Sequence, residues 1–220
     1  MFSRKLGSAE PISKPKAQPQ RPLLILFATL ALTVNAQAQE GPPGDAANGK
    51  LRSRAEQCQE CHGQFGESTT VHYPKLGGQK AAYLRKQLND FQSGARKNEV
   101  MTAMAAELSA QDIADIAAYF SGASQMGGEQ PVIETAGKSL FENGDSNRAL
   151  PACASCHADV GSATPTLAGQ RELYLIAQLS AWKVDDRKNS PGDVMSAVGH
   201  MLTDAEIAAV ARYLAGSNQP

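Results

Sequence analysis

Two short segments of the sequence combine cysteine and histidine at a spacing that suits covalent attachment of a cofactor. Both have the pattern Cys-x-x-Cys-His, and they occupy residues 58–62 and 153–157. This is the pattern of c-type haem attachment. The two thiols add across the vinyl groups of one porphyrin, and the histidine that follows lies under the iron. The sequence therefore predicts two covalently bound c-type haems, held by thioether bonds at Cys58, Cys61, Cys153 and Cys156 and ligated by His62 and His157.

Three other uses of paired cysteines compete with this interpretation. Zinc sites combine two Cys-x-x-Cys pairs that are about 15–20 residues apart, whereas Cys61 and Cys153 lie 92 positions apart. A thioredoxin-like dithiol needs a βαβ setting, and the sequence has little strand pattern. Disulfides form in exported proteins, but they leave the histidine after each pair unexplained. Two haem-attachment motifs remain the favoured interpretation.

The chain contains two copies of one unit of about 85 residues. Besides the cysteine motifs, Pro74-Lys-Leu-Gly-Gly-Gln matches Pro165-Thr-Leu-Ala-Gly-Gln, and further matched residues follow in the same order. The segment between the copies is rich in Gly, Ser and Pro, which is typical of a linker. We assign residues 45–120 to the first unit, 121–132 to the linker and 133–216 to the second unit.

A second axial ligand must come from elsewhere in each unit, and methionine is the expected type because its thioether suits electron-transfer haem. The repeat favours Met101 and Met195, each of which stands seven residues before a matched leucine. Met104 and Met201 have no methionine partner in the other copy, and Met126 lies in the linker. We predict Met101 and Met195 as iron ligands and Met104 and Met201 as packing residues.

The pattern around these ligands predicts short helices and few strands. One helix approaches each cysteine motif, at about residues 47–57 and 135–141, and another follows each Leu-x-Gly-Gln. The last helix of each unit begins at a capping box, Ser109 with Asp112 and Thr203 with Glu206. An apolar stripe follows each box, and it is formed by Ile113, Ile116, Ala117 and Phe120 or by Ile207, Val210, Ala211 and Leu214. We expect an all-α fold.

Some features of the sequence indicate how tightly these helices pack. Gly49 and Gly137 lie inside the first helices, where a glycine costs roughly 1 kcal/mol relative to alanine, so we expect a close helix crossing there. Aromatic residues make up only 5% of the chain. Two small cores with so few large side chains are plausible only when something large fills each of them.

Other polar residues receive ordinary roles. His72 and His200 do not align with each other and are expected on loops or the surface, although His200 lies near Met195 and competes as a ligand. The recurring tyrosines are expected to pack against haem edges or between helices, and they are Tyr83, Tyr119, Tyr174 and Tyr213. The pairs Arg96-Lys97 and Arg187-Lys188 are expected to be solvated loop charges.

The beginning of the chain resembles an export signal over residues 1–38. Five basic residues precede an apolar run of 12 residues, Leu23 to Val34, and Ala36-Gln-Ala38 is a cleavage pattern. The alternative is that this segment is not cleaved and stays as a membrane anchor.

The signal holds five basic residues and one acidic residue, so its removal takes the formal net charge of the chain from −1 to −5. No basic face for nucleic acid is expected. No apolar run reaches 18 residues, so no confident membrane span is predicted.

Over residues 45–216 the sequence resembles the dihaem class I cytochromes c, the cytochrome c4 family. The resemblance rests on both Cys-x-x-Cys-His motifs, on the two Pro-x-Leu-x-Gly-Gln segments, and on the segment from Met101 to Tyr119. It implies two tandem class I cytochrome c domains related by a pseudo-two-fold axis and joined by a short linker. The family's axial residues match His62 with Met101 and His157 with Met195.

The resemblance also implies a function. Such proteins are periplasmic electron carriers, often loosely held at the membrane, that pass electrons from quinol-oxidising complexes to terminal oxidases. With His and Met on each iron, no position stays open for substrate, which favours a carrier over an enzyme. Two alternatives remain: a dihaem enzyme, such as a peroxidase or a sulfur-compound dehydrogenase, and a haem subunit bound to a membrane oxidoreductase.

Overall fold

Helices and connecting loops make up the fold in the computed structural model, which describes residues 42–128, 134–158 and 164–218. The helices of the first copy are α1 (Ala46–Ala55), α2 (Cys58–His62), α3 (Ala81–Ser93), α4 (Glu99–Ala105) and α5 (Ala110–Ser121). Those of the second copy are α6 (Thr135–Asn143), α7 (Ala154–His157), α8 (Glu172–Lys183), α9 (Val194–Met201) and α10 (Asp204–Gly216). These ranges contain no strand, only an isolated bridge between Asp145 and Leu150. The all-α prediction is confirmed.

The first and last helices of each copy cross at a glycine. A Cβ atom at Gly49 of α1 would lie 1.9 Å from the carbonyl oxygen of Asp115 in α5. A Cβ atom at Gly137 of α6 would lie 2.2 Å from the carbonyl oxygen of Ala209 in α10. No other residue type fits at these distances, so the close crossing expected from the sequence is present in both copies.

The last helix of each copy begins and packs as the sequence predicts. Ser109 and Asp112 form a reciprocal capping box at α5, and Thr203 and Glu206 form one at α10. The apolar stripe of each helix is buried. In the first copy it packs with Leu84 and Leu108. The two cores therefore lie between the last helix and the helix that follows the Leu-x-Gly-Gln segment.

The approach to the cysteine motif differs between the copies. In the first copy α1 ends at Ala55, and Gln57 adopts a left-handed conformation with φ 57°, so the predicted helix over 47–57 is broken before Cys58. In the second copy α6 ends at Asn143, and a 3₁₀ turn, Ser146–Arg148, precedes the motif. Gly137 and Cys153 are 16 positions apart, whereas Gly49 and Cys58 are 9 apart, so the connection to the motif is longer in the second copy.

Parts of the predicted organisation fall outside the described residues. These are the export signal over residues 1–38 and the linker residues 129–132. The described start of the linker is ordered around Met126, whose side chain is only 4% exposed. α5 also continues one residue into the predicted linker, to Ser121.

Within the described ranges, no single helix is long and apolar enough to cross a membrane. Among the described residues, one pair of helical segments, Pro191–Met201 and Asp204–Gly216, is together long and apolar enough for a membrane span. The chain bends by 112° between these two segments.

Candidate haem sites

The two motif histidines are held in the same way. The Nδ1 atom of His62 lies 2.9 Å from the carbonyl oxygen of Pro74, and that of His157 lies 3.0 Å from the carbonyl oxygen of Pro165. Because a carbonyl only accepts, Nδ1 carries the proton in both rings, which leaves the Nε2 lone pair as the metal-binding atom. Burial lowers the pKa of both histidines below the ordinary value, although the carbonyl contact opposes the shift. Both rings are therefore neutral imidazoles, the form that ligates a metal.

The cysteines lie on short helices immediately before these histidines. α2 spans the whole first motif, and Cys153 caps α7 in the second. All four thiols are free. Burial raises the pKa of the Cys58 thiol to about 11 and raises that of Cys153 as well.

The described ranges also contain no group of three or more His, Cys, Asp or Glu side chains arranged to hold a metal ion.

The predicted methionine ligands both lie in the first turn of a helix, where a side-chain oxygen anchors the backbone of each. The Met101 amide donates to Asn98 Oδ1 at 2.9 Å, and the Met195 amide donates to Ser190 Oγ at 3.1 Å. A 3₁₀ turn, Pro191–Asp193, takes up the three additional residues that precede Met195 in the second copy. The insertion therefore leaves the backbone anchor of the methionine in place.

Exposure separates the candidate methionines. Met101 and Met195 are partly buried, whereas Met104 is 40% exposed and Met201 is 38% exposed. Met104 and Met201 are therefore not the core-packing residues that the sequence predicted. The ligand roles of Met101 and Met195, like those of the cysteines and histidines, stay predictions that the geometry supports.

The donor set fits haem in both copies. Each has two thiols on a helical turn, a neutral imidazole with its Nε2 lone pair available, and a partly buried thioether at a helix start. One polar atom in the second copy, Ser196 Oγ next to Met195, is buried without a hydrogen-bond partner among the described residues. Such an orphaned hydroxyl indicates a group that the protein chain alone does not supply.

Comparison with known proteins agrees with the site. The family model for cytochrome c matches residues 46–124 and 134–218. Cytochrome c4 from Pseudomonas aeruginosa is 39% identical over 202 residues, which cover 88% of this chain and 97% of that protein. The crystal structure of reduced recombinant cytochrome c4 from Pseudomonas stutzeri matches with a TM-score of 0.73 and 35% identity, covering 80% of this chain and all of that chain (100%). The chain belongs to the cytochrome c4 family.

A further relative of this cytochrome c4 has a more specific name. A protein of Stutzerimonas stutzeri named thiosulfate dehydrogenase electron acceptor is 37% identical over 201 residues, covering 87% of this chain and 93% of its own length. Membership of the cytochrome c4 family means that the chain consists of two tandem cytochrome c domains with two covalently attached haems. It is an electron-transfer protein.

The two domains of this cytochrome c4 meet through buried arginines that the sequence analysis placed wrongly. Arg96 is only 9% exposed. Its guanidinium donates to Gln87 of its own domain at 2.7 Å, and to Gln178 at 2.7 Å and Tyr174 at 3.1 Å in the other domain. The guanidinium carbon also lies 4.7 Å from the centre of the Phe91 ring. Arg96 is therefore an interface residue and not a solvated loop charge.

Arg187 repeats these contacts from the second domain. It is 8% exposed, and it donates to Gln178 at 2.7 Å, to Gln87 of the first domain at 3.0 Å and to Tyr83 at 3.4 Å. Its guanidinium carbon lies 4.6 Å from the centre of the Trp182 ring. Because each domain offers the same residue types to the other, the contacts have the pseudo-two-fold relation expected of cytochrome c4.

The remaining predicted residues are peripheral. His72 is exposed, and His200 is exposed with its ring 3.3 Å from the Asp185 carboxylate. The Tyr119 hydroxyl donates to the carbonyl of Gln64 at 2.5 Å, and that of Tyr213 lies 3.4 Å from Glu142. Of the four recurring tyrosines, Tyr83 and Tyr174 are thus the pair that joins the domains.

Proposed function

We propose that this cytochrome is exported to the periplasm and carries electrons there from a quinol-oxidising complex to a terminal oxidase. The observation that carries the proposal is the equivalence of the two sites: in both copies a buried or half-buried histidine has Nδ1 fixed by a proline carbonyl. A dedicated catalytic half would need one open iron and acid–base groups beside it. Equal sites favour relay of electrons over catalysis.

The chain's residues have defined tasks in this function. Cys58 and Cys61 would hold one haem, and Cys153 and Cys156 the other. His62 with Met101 would ligate the iron of the first haem, and His157 with Met195 that of the second. Bound haem supplies an iron that gains or loses one electron without needing a new ligand. A thioether in place of a second imidazole raises the potential of that iron.

The proposed location rests on the start of the sequence. A basic region, an apolar run and the Ala36-Gln-Ala38 pattern support export with cleavage after Ala38. The protein left after cleavage has a formal net charge of −5. A mildly acidic carrier associates fastest with a basic partner, and salt slows that association because charges are screened beyond about 8 Å at physiological ionic strength.

A second donor is favoured by the name of a relative. Because a protein named thiosulfate dehydrogenase electron acceptor is 37% identical to this chain over nearly its whole length, we also propose that the chain accepts electrons from a thiosulfate-oxidising enzyme. The two routes differ in the donor and share the same carrier. Oxidation of a sulfur compound would then take place on the partner.

A kinetic comparison tests the donor. The oxidised protein is mixed in a stopped-flow instrument with a quinol-oxidising complex and quinol, or with thiosulfate dehydrogenase and thiosulfate, from the source organism. We expect rapid reduction by the quinol-oxidising complex, slowing as salt rises, with both haems reduced. Faster reduction by the thiosulfate enzyme would select the second donor. Reduction by neither, at rates no better than with free reductants, would contradict the carrier proposal.

A further inference from the structure

Two buried glutamines cross from each domain to the backbone of the other. Gln79 and Gln170 end the two Leu-x-Gly-Gln segments and are 3% and 4% exposed. Gln170 Oε1 accepts from the Lys75 amide at 2.8 Å, and its Nε2 donates to the Lys75 carbonyl at 3.0 Å. Gln79 makes the same two bonds to Thr166, both at 2.9 Å. Each side-chain amide thus pairs with both the backbone N–H and the backbone C=O of one residue in the opposite domain.

The peptide units that these glutamines hold are the ones that hold the histidines. The Pro74 carbonyl, which lies 2.9 Å from His62 Nδ1, and the Lys75 amide, which donates to Gln170, belong to one peptide group. In the second domain one peptide group likewise joins the Pro165 carbonyl to the Thr166 amide.

His157 contacts the carbonyl of that second peptide group at 3.0 Å, and Gln79 accepts from its amide at 2.9 Å. Each histidine is therefore connected through a single peptide group to a glutamine of the other domain. We call the connection from Gln170 to His62 the first relay and the connection from Gln79 to His157 the second relay.

A peptide group transmits polarisation between its two ends. When the amide donates a hydrogen bond, the carbonyl oxygen gains negative charge and becomes a better acceptor, an effect of about 10–30% per bond in a chain. A stronger acceptor at Nδ1 makes the imidazole a more basic ligand. A more basic ligand stabilises the more positively charged ferric iron and lowers the potential of the haem.

We propose that Gln170 is a positioning residue for His62 and that Gln79 is one for His157, so that each domain tunes the redox potential of the haem in the opposite domain. The inference rests on the proposed ligand roles of His62 and His157. Because each glutamine acts on the opposite domain, a substitution of the glutamine in one domain should change the redox potential of the iron in the other. A purely local packing role would instead affect the domain that carries the substitution.

The orientation of both glutamine amides is fixed by further contacts. Gln170 Oε1 also accepts from the Arg171 amide at 2.9 Å, and Gln79 Oε1 accepts from the Lys80 amide at 3.0 Å. Two amide donors at one atom identify it as the oxygen. Gln170 Nε2 has an additional contact, 3.4 Å to the sulfur of buried Met126.

The first relay also lies in a loop that is tied to the rest of the molecule. The Lys75 ammonium donates to the carbonyl of Gly127 at 2.8 Å and to that of Gly169 at 2.7 Å. The corresponding residue in the second domain is Thr166, which has no ammonium. The first relay is therefore the more firmly held of the two.

Redox titration of single variants tests the crossing. Haem methyl resonances followed by NMR report the two irons separately, with those of the first domain assigned from a variant that lacks Cys153 and Cys156. We expect Gln170→Met to raise the potential of the first haem, changing its equilibrium constant about threefold, or about 30 mV at 59 mV per tenfold, and to leave the second haem unchanged. Gln79→Met is expected to raise the potential of the second haem and to leave the first haem unchanged.

The control is Gln111→Met, because the Gln111 side chain is exposed and bound to Pro43 and Asp115. This substitution should shift the potential of neither haem.

A second variant covers poor folding of the first. Gln170→Glu places a negatively charged oxygen, which is a stronger acceptor, at the Lys75 amide, so it should lower the potential of the first haem instead of raising it. The ring N–H resonance of His62 should move with the potential in both variants. A shift confined to the haem of the substituted domain, an equal shift at both haems, or no shift would each overturn the proposal.

These results are distinguishable from failure of the ligand assignment. If His62 and His157 did not bind iron, their ring N–H protons would lack a paramagnetic shift already in the unaltered protein. That result would overturn both the assignment and the relay. A normal spectrum of the unaltered protein without the crossed pattern in the variants would overturn the relay alone.

Discussion

Replacing Cys153 and Cys156 with alanine is expected to give an exported chain that carries one haem instead of two. Each haem is held by its own pair of thiols, and Cys61 and Cys153 are too distant in sequence to serve one attachment turn. The first domain has its own core around Leu84, Ile113 and Phe120, so it should keep its haem. The measurement is the intact mass of the purified protein together with haem absorbance per chain.

The matched control is the double replacement of Cys58 and Cys61, which should leave only the second haem. The mass should correspond to a chain that begins at Gln39, if cleavage follows Ala38. Two haems in either variant would contradict attachment by these cysteines. A mass increment of zinc in place of haem would do the same.

Replacing Met101 with histidine is expected to lower the potential of the first haem by roughly 0.1–0.3 V, within the ~0.8 V range that axial ligands span. A second imidazole favours ferric iron more than a thioether does. The charge-transfer band of thioether-ligated ferric haem should lose about half its intensity, because one of the two sites no longer has that ligand. Met195→His should have the same effect on the second haem. A redox titration with optical spectra measures both quantities.

Met104→His is the matched control for the ligand prediction. Met104 lies one turn further along the same helix, and it is 40% exposed, so its replacement should leave both potentials and the band unchanged. Met201, 38% exposed, offers the same control in the second domain. If either of these replacements removed the band while Met101→His or Met195→His did not, the alignment of the repeat would be wrong.

Local signals in the sequence were sufficient for α1, α3 and α5 and for their counterparts α6, α8 and α10, whereas α2, α4, α7 and α9 were not predicted. Capping boxes at Ser109 and Thr203, and the apolar stripes that follow them, act within a few residues, and the structure confirms them. Gly49 and Gly137 were informative for the same reason, because a mid-helix glycine has few uses besides a close contact. What the sequence did not locate is the break at Gln57, where a left-handed residue interrupts a continuous helical pattern.

The interface was largely missed because its contacts are distant in sequence. Arg96 next to Lys97 has the local pattern of a solvated loop, yet its acceptors Tyr174 and Gln178 lie 78 and 82 positions away. A partial signal was present in the repeat. Arg96 and Arg187 are matched polar residues, although the equally matched Lys97 and Lys188 are exposed, so the repeat marks the segment and not which of its residues is buried.

The ligand set of each iron is a chemical prediction from the donor types and their spacing. The structure adds the neutral tautomer of His62 and His157 and the backbone anchors of Met101 and Met195. The insertion before Met195 was the weakest point in the sequence alignment. The 3₁₀ turn over Pro191–Asp193 accommodates it.

Carbon monoxide added to the fully reduced protein at neutral pH measures directly whether either iron has an open or easily vacated position. With His62 and Met101 on one iron and His157 and Met195 on the other, we expect no rapid change in the spectrum of either haem. The same sample should then give up two electrons per chain to a small oxidised redox protein. Rapid binding of carbon monoxide to one haem per native molecule, together with peroxide turnover at that haem, would contradict the carrier function.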